Sequence, residues 1–207
     1  MATANGWRRV ARVVLEGLDQ VVGTPEETTS LIDPAIAKFE AQVQLLRAIR
    51  CGASIEEATA GYVDPAPDGV SPTTLLEDAR RNIQRRRSLH GLACGVPLCA
   101  NKLGLGPNEA WREIWESCNR TALRFTRRME ECLRNAASLY MAARDAIDLA
   151  SVLPIGAPLR VAWMEAAELL TVDAVREARA LHNRVVLMRQ ILLLQSRIST
   201  HILQPAL

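Results

Sequence analysis

The sequence predicts an all-α protein, a multi-helix bundle with one long central helix, and three observations carry that prediction. The first is continuity: between Pro107 and Pro154 no proline or glycine interrupts the chain. Alternating steps of four and three from Trp111 meet Trp111, Trp115, Cys118, Ala122, Phe125, Met129, Cys132, Ala136, Leu139, Ala143, Ala146, Ala150 and Leu153, all apolar. In a chain that is 49% apolar, such a row has a chance of about one in ten thousand, or ~one in a thousand over the seven registers, so the period is signal. A 3.5-residue period defines a helix, here about residues 107–153, whose single seam faces other helices. At 1.5 Å per residue it extends for roughly 70 Å, so it must bend or project.

The second observation is composition. Aromatic residues make up 4% of the chain while Ala, Leu, Arg and Glu abound, which favours helices over strands. The third is punctuation, because start and stop signals recur at helical spacing.

Taken in order, helix 1 is expected over about residues 7–22, with Trp7, Val10, Ala11, Val14, Leu15, Leu18 and Val21 on one face and Gly23 as its stop. Thr24 and Pro25 open a short helix, since a threonine cap, a proline at the first helical position and Glu26 and Glu27 suit a helix N-terminus. Asp33 and Pro34 repeat the device for a helix over residues 34–50 that buries Ile36, Phe39, Val43, Leu46 and Ile49 and ends at Gly52. Ser54 and Glu57 form a capping box for a short helix to about Tyr62. Residues 64–71, with Pro65, Pro67 and Gly69, exclude regular structure and read as a linker. The chain is treated as one domain, 1–207; the alternative division is an N-terminal helical subdomain, 1–63, and a C-terminal bundle, 72–207.

Ser71 and Pro72 restart helix, and the stripe Leu75, Leu76, Ala79, Ile83 fails at its next steps, Arg86 and Arg87. Glycines and Pro97 punctuate residues 90–106. After the long helix, residues 154–158 form a tight turn and residues 158–170 a short apolar helix. Thr171 is expected to cap the last helix, about residues 172–203, with Val175, Ala178, Leu181, Val185, Met188 and Leu192 on one face. Residues 185–194 turn apolar nearly all round, as in a central core helix or an oligomer interface. The segment Leu139, Tyr140, Met141, Ala142, Ala143 changes the same way, placing the C-terminal half of the long helix in the core against the last helix.

Charge supplies the first candidate site. The net charge is only +2 and the cations are nearly all arginine. Arg80, Arg81, Arg85, Arg86 and Arg87 crowd one stretch, and Arg120, Arg124, Arg127 and Arg128 recur along the long helix. Joined in one surface they would hold a nucleic-acid backbone; the alternative is a solvated face laced with Glu116, Glu130 and Glu131. Trp111 and Trp115, one turn apart, form a partner anchor if exposed and core filling if buried.

No metal site or cofactor is expected. His90, Cys94 and Cys99 lack the paired short spacing of a zinc site, and Cys118 and Cys132 fall on the seam as small apolar residues. Neither Glu165 with Glu168 nor Asp145 with Asp148 has the Glu-x-x-His form of di-iron bundles, and no nucleophile or phosphate loop accompanies His90, His182 or His201. No run reaches the ~20 apolar residues of a membrane span and no signal-peptide core opens the chain, so an intracellular protein, cytoplasmic or nuclear, is expected.

The resulting expectation is a non-enzymatic helical assembly or interaction protein, a self-associating structural subunit of matrix-like or nucleocapsid-like kind, with itself or another helical protein as partner. The alternatives are a nucleic-acid-binding regulator using the arginine face and a small helical-bundle enzyme.

Overall fold

The structure, a computed structural model, describes residues 4–60, 63–64, 69–93 and 109–203. Five helices account for most of them: α1 (Ala4–Arg50), α2 (Ile55–Thr59), α3 (Pro72–Ala93), α4 (Glu109–Ser151) and α5 (Pro158–Leu203). No strand occurs among the described residues, so the fold is all-α.

A 3.5-residue seam runs along every long helix, because each must bury one stripe against others. On α4 it is the stripe expected from sequence: from Trp115 to Ala150 every one of its residues is buried or half-buried. On α5 the buried row is Ala167, Thr171, Ala174, Ala178, Leu181, Val185, Met188, Leu192, Gln195 and Ser199. On α3 it is Pro72, Leu76, Ala79, Ile83 and Arg86. On α1 it is Pro25, Thr28, Ile32, Ala35, Phe39, Val43 and Leu46.

These rows explain where the expected helix boundaries differ from the observed ones. The three N-terminal helices are one helix, α1, which runs unbroken through Gly23, Pro25 and Pro34, and from Pro25 its buried row passes Pro34 without a change of register. A proline inside a helix forfeits one backbone hydrogen bond, but breaking the rod would forfeit the alignment of Thr28, Ile32, Ala35 and Phe39, all fully buried. Thr171 likewise caps nothing. It lies inside α5, donating its hydroxyl to Ala167 O at 2.8 Å and accepting from Gln42 Nε2 at 3.4 Å.

Where the chain does turn, the local chemistry is as expected. Gly52 has φ +99°, a conformation open to glycine, and Ala53 N–H returns to Ala48 O at 3.0 Å to close α1. Glu57 N–H donates to Ser54 Oγ at 3.1 Å and Ser54 N–H to Glu57 Oε2 at 2.8 Å, the capping box of α2. That helix stops at Thr59, short of Tyr62. Ser71 Oγ accepts from Thr74 N–H at 3.2 Å at the start of α3.

The residues group into two compact units. Unit 1 comprises residues 1–29, 81–129 and 184–207; unit 2 comprises 30–80 and 130–183. The boundaries fall inside α1, α3, α4 and α5, so each of these helices supplies a segment to both.

Unit 2 is centred on Ala35, Phe39, Leu75, Leu76, Ala136, Ala174 and Ala178. Its alanines let four helices approach closely, and Phe39 fills the gap, its ring 5.2 Å from that of Tyr140 in a tilted pair. A second cluster joins Leu46, Ala146 and Ala167, with Trp163 and Met164 against it. Polar ties surround these clusters. The buried Lys38 meets Asp64 at 3.1 Å and donates to Val70 O. Glu168, nearly buried, receives Arg47 Nε at 2.7 Å and Arg50 Nε at 3.1 Å. In unit 1, Arg189 meets Glu26 at 2.5 Å, tying α5 to α1.

The C-terminal half of α4 does lie against α5, through Ala136 with Ala174 and Ala178. It is not enclosed, however: Met141 and Leu149 are exposed.

Candidate interaction surfaces

The expected arginine sites take three different positions. Arg86 is buried at 2% exposure, continuing the stripe of Ile83 rather than ending it. Its guanidinium donates to Thr28 Oγ1 at 3.0 Å and approaches Met129 Sδ at 3.9 Å. Burial lowers its pKa to about 10, because the charged form loses water. Arg86 is therefore a core residue of unit 1 and faces no solvent-borne ligand.

Arg81, Arg85 and Arg87 are exposed on α3 in unit 1, whereas Arg80, also exposed, belongs to unit 2 and pairs with Glu77 at 3.4 Å. On α4, Arg120, Arg124, Arg127 and Arg128 are exposed. At 100° per residue, Arg120, Arg124 and Arg127 lie within about 40° of the direction opposite Met129, the seam residue that Arg86 approaches. Arg120, Arg124 and Arg127 thus point away from the seam at which Arg86 approaches Met129. Glu113, Glu116 and Glu131 share the outward α4 face, so it carries both signs.

A stronger electrostatic feature comes from how the chain is partitioned. Unit 1 holds 16 of the 25 lysines and arginines but 7 of the 23 aspartates and glutamates, a net +9. Unit 2 holds the remaining 9 cations and 16 anions, a net −7. The chain's modest +2 conceals this segregation.

Trp115 is buried at 4% exposure, so it fills the interior of unit 1 and anchors no partner. The side chain of Trp111, that of His90, and Cys94 and Cys99 lie outside the described residues. Cys118 is half-buried, its thiol pKa raised by desolvation, and Cys132 is buried. Among the described residues no three His, Cys, Asp or Glu side chains gather to hold a metal ion. The Glu165 and Glu168 pair is engaged by arginines of α1, Arg50 standing 3.9 Å from Glu165 and 3.1 Å from Glu168. His182 Nδ1 stands 2.7 Å from Asp33 Oδ1, a lateral tie between α5 and α1. No described helix is long and apolar enough to cross a membrane.

The apolar run at residues 185–194 resolves into two faces. Val185, Met188 and Leu192 point inward and are at most 1% exposed. Val186, Leu187, Leu193 and Leu194 are 37–46% exposed, and helical spacing puts all four on one outward patch around exposed Gln190. Position sums make the patch symmetric about Gln190: Val186 balances Leu194, and Leu187 balances Leu193. Arg179 and Asn183 border it on one side and Arg197 on the other, all exposed. Sequence periodicity signalled the excess of apolar residues here but not which of them would be left outside.

No family model matches this chain, and neither a curated protein nor a solved structure matches it.

Proposed function

We propose that this chain is a non-enzymatic helical assembly protein, a structural subunit of matrix-like or nucleocapsid-like kind, that pairs with a second copy through the outward face of α5 in unit 1. The observation that carries this reading is the exposed patch of Val186, Leu187, Leu193 and Leu194. Exposed apolar clusters of this kind mark interaction sites. A two-fold interface needs a patch complementary to itself, and an antiparallel copy centred on Gln190 would set Val186 against the partner's Leu194 and Leu187 against the partner's Leu193. No carboxylate lies in residues 184–203, so the contact would be hydrophobic and its arginines would remain at the rim.

Four half-exposed side chains per copy make a small patch, which belongs with weak reversible associations, on the order of 10–100 µM. Sedimentation velocity over a hundredfold concentration range should show monomers giving way to dimers. Leu187→Glu with Leu194→Glu, both at exposed positions, should leave a folded monomer throughout. A wild-type protein that stays monomeric, or a double variant that dimerises equally, would reject the reading.

The charge of unit 1 favours a second reading, a polyanion-binding protein, because a net +9 suits the electrostatic footprint of nucleic-acid binding. Substituting Arg81, Arg85 and Arg87 by Gln should then flatten the salt dependence of duplex binding by up to ~3 units of slope. Arg86 must be spared, since its loss would test folding instead. Absence of binding at low salt would remove this reading.

A further inference from the structure

Unit 2 contains a cavity of about 630 Å³, within the ~300–1,000 Å³ usual for small-molecule sites. Its lining runs from Lys38 to Ile49 on α1 and from Tyr140 to Ser151 on α4, roughly 16 Å of each helix at 1.5 Å per residue. Leu45, Ile49, Ile55, Ile147 and Met164 supply much of its wall. Ile55 stands on α2, a helix with no buried residue, and stays 59% exposed although it lines the cavity. The described residues thus leave this apolar surface uncovered.

The charged groups on this cavity are unequal. Lys38 is neutralised by Asp64. Arg160 donates one Nη1 bond to Leu153 O at 2.8 Å, holding the turn before α5 and leaving its remaining donors for other acceptors. Arg144, on the exposed side of α4, has no hydrogen bond or ion pair among the described residues. Asp148, one turn beyond Arg144, is the one carboxylate among the described residues of the wall. Two guanidinium groups against one carboxylate leave a local excess of positive charge beside an apolar channel, within a unit whose net charge is −7.

We propose that this cavity binds an amphipathic monoanion, an unbranched apolar chain ending in one carboxylate. The chain would lie along the channel over Leu45, Ile49 and Ile147 and would cover Ile55, and the carboxylate would take the fork of Arg144. Channel length selects an extended ligand, and the charge excess selects an anion over a cation. The site lies in unit 2, so it stands independently of the α5 patch in unit 1.

Isothermal titration with octanoate, decanoate and decyltrimethylammonium, each below its micelle concentration, tests both selections. Decanoate should bind one per chain and about fifteenfold more tightly than octanoate, because each buried methylene contributes ~fourfold. The cation of equal chain length should bind at least tenfold more weakly. Arg144→Gln, at an exposed and unpaired position, should abolish the preference for decanoate over the cation while leaving the helical circular dichroism unchanged. Ile55→Glu should weaken decanoate by tenfold or more by placing a carboxylate at the channel wall. Leu187→Glu with Leu194→Glu should bind decanoate as the wild type does. No saturable binding of decanoate, equal binding of the cation, or an unchanged Arg144→Gln would each overturn the proposal.

Discussion

Pro34→Ala separates a continuous α1 from a helix that restarts at Asp33, because the two arrangements give effects of opposite sign. In the structure Pro34 lies deep within Ala4–Arg50, between the fully buried Ile32 and Ala35. Interior proline is less favourable than alanine by about 3 kcal/mol, through the lost N–H bond to the carbonyl four residues earlier and the clash of its ring with it. Two terms oppose the gain. Alanine frees the unfolded chain by ~0.4–1 kcal/mol, and losing part of a half-buried ring costs about 0.5–1 kcal/mol. The net expectation is a stabilisation of about 1–2 kcal/mol. For a chain of this length that raises Tm by roughly 3–6 °C. At the first position of a separate helix, where proline gives up no bond, the same change would cost ~0.5–1 kcal/mol. Chemical denaturation of wild type and variant under identical conditions reads the sign, and a destabilised variant would refute the unbroken α1.

Three further outcomes follow from buried groups. Met129→Ala, at a fully buried seam position, should cost ~2–5 kcal/mol, whereas Leu123→Ala, 51% exposed on the same helix, should stay within about 0.5 kcal/mol by urea denaturation. Replacing Arg47 and Arg50 together by Ala strands the nearly buried Glu168 carboxylate and should cost about 3 kcal/mol. Glu168→Gln leaves only half-exposed arginines to be hydrated and should cost ~1 kcal/mol, and equal losses would contradict the clamp. For Arg86, the folded pKa of about 10 lies below the ordinary guanidinium value. The folded chain therefore releases this proton first, and stability is regained only as pH rises above about 10. The stability difference between wild type and Arg86→Met should accordingly stay constant from pH 5 to 9, and a slope there would contradict the assigned cause.

Much of the architecture was legible because a 3.5-residue seam is written in single residues. Trp115, Ala122, Met129, Ala136, Ala143 and Ala150 could be found by counting alone, and so could Ala178, Leu181, Val185 and Met188. The capping box at Ser54 and Glu57 was equally local. What misled was punctuation. Pro25, Pro34 and Thr171 have the chemistry of helix starts, yet each sits where a continuous seam outweighs the local preference. The seam positions held by polar residues were also opaque, since the partnership that brings Arg86 and Thr28 together inside spans 58 residues of sequence. Charge segregation was invisible for a different reason: unit 1 is assembled from three separated stretches, so no window of sequence displays its +9.

The α5 pairing can be tested by trapping it. With exposed Cys51 replaced by serine, Gln190→Cys places a thiol at the centre of the two-fold, beside its own copy. Mild oxidation should link two chains through residue 190 much faster than through Arg176→Cys, which is exposed on the same helix but away from the patch. Equal rates at the two positions, or no faster linking than the Cys51→Ser background, would contradict self-association through this face.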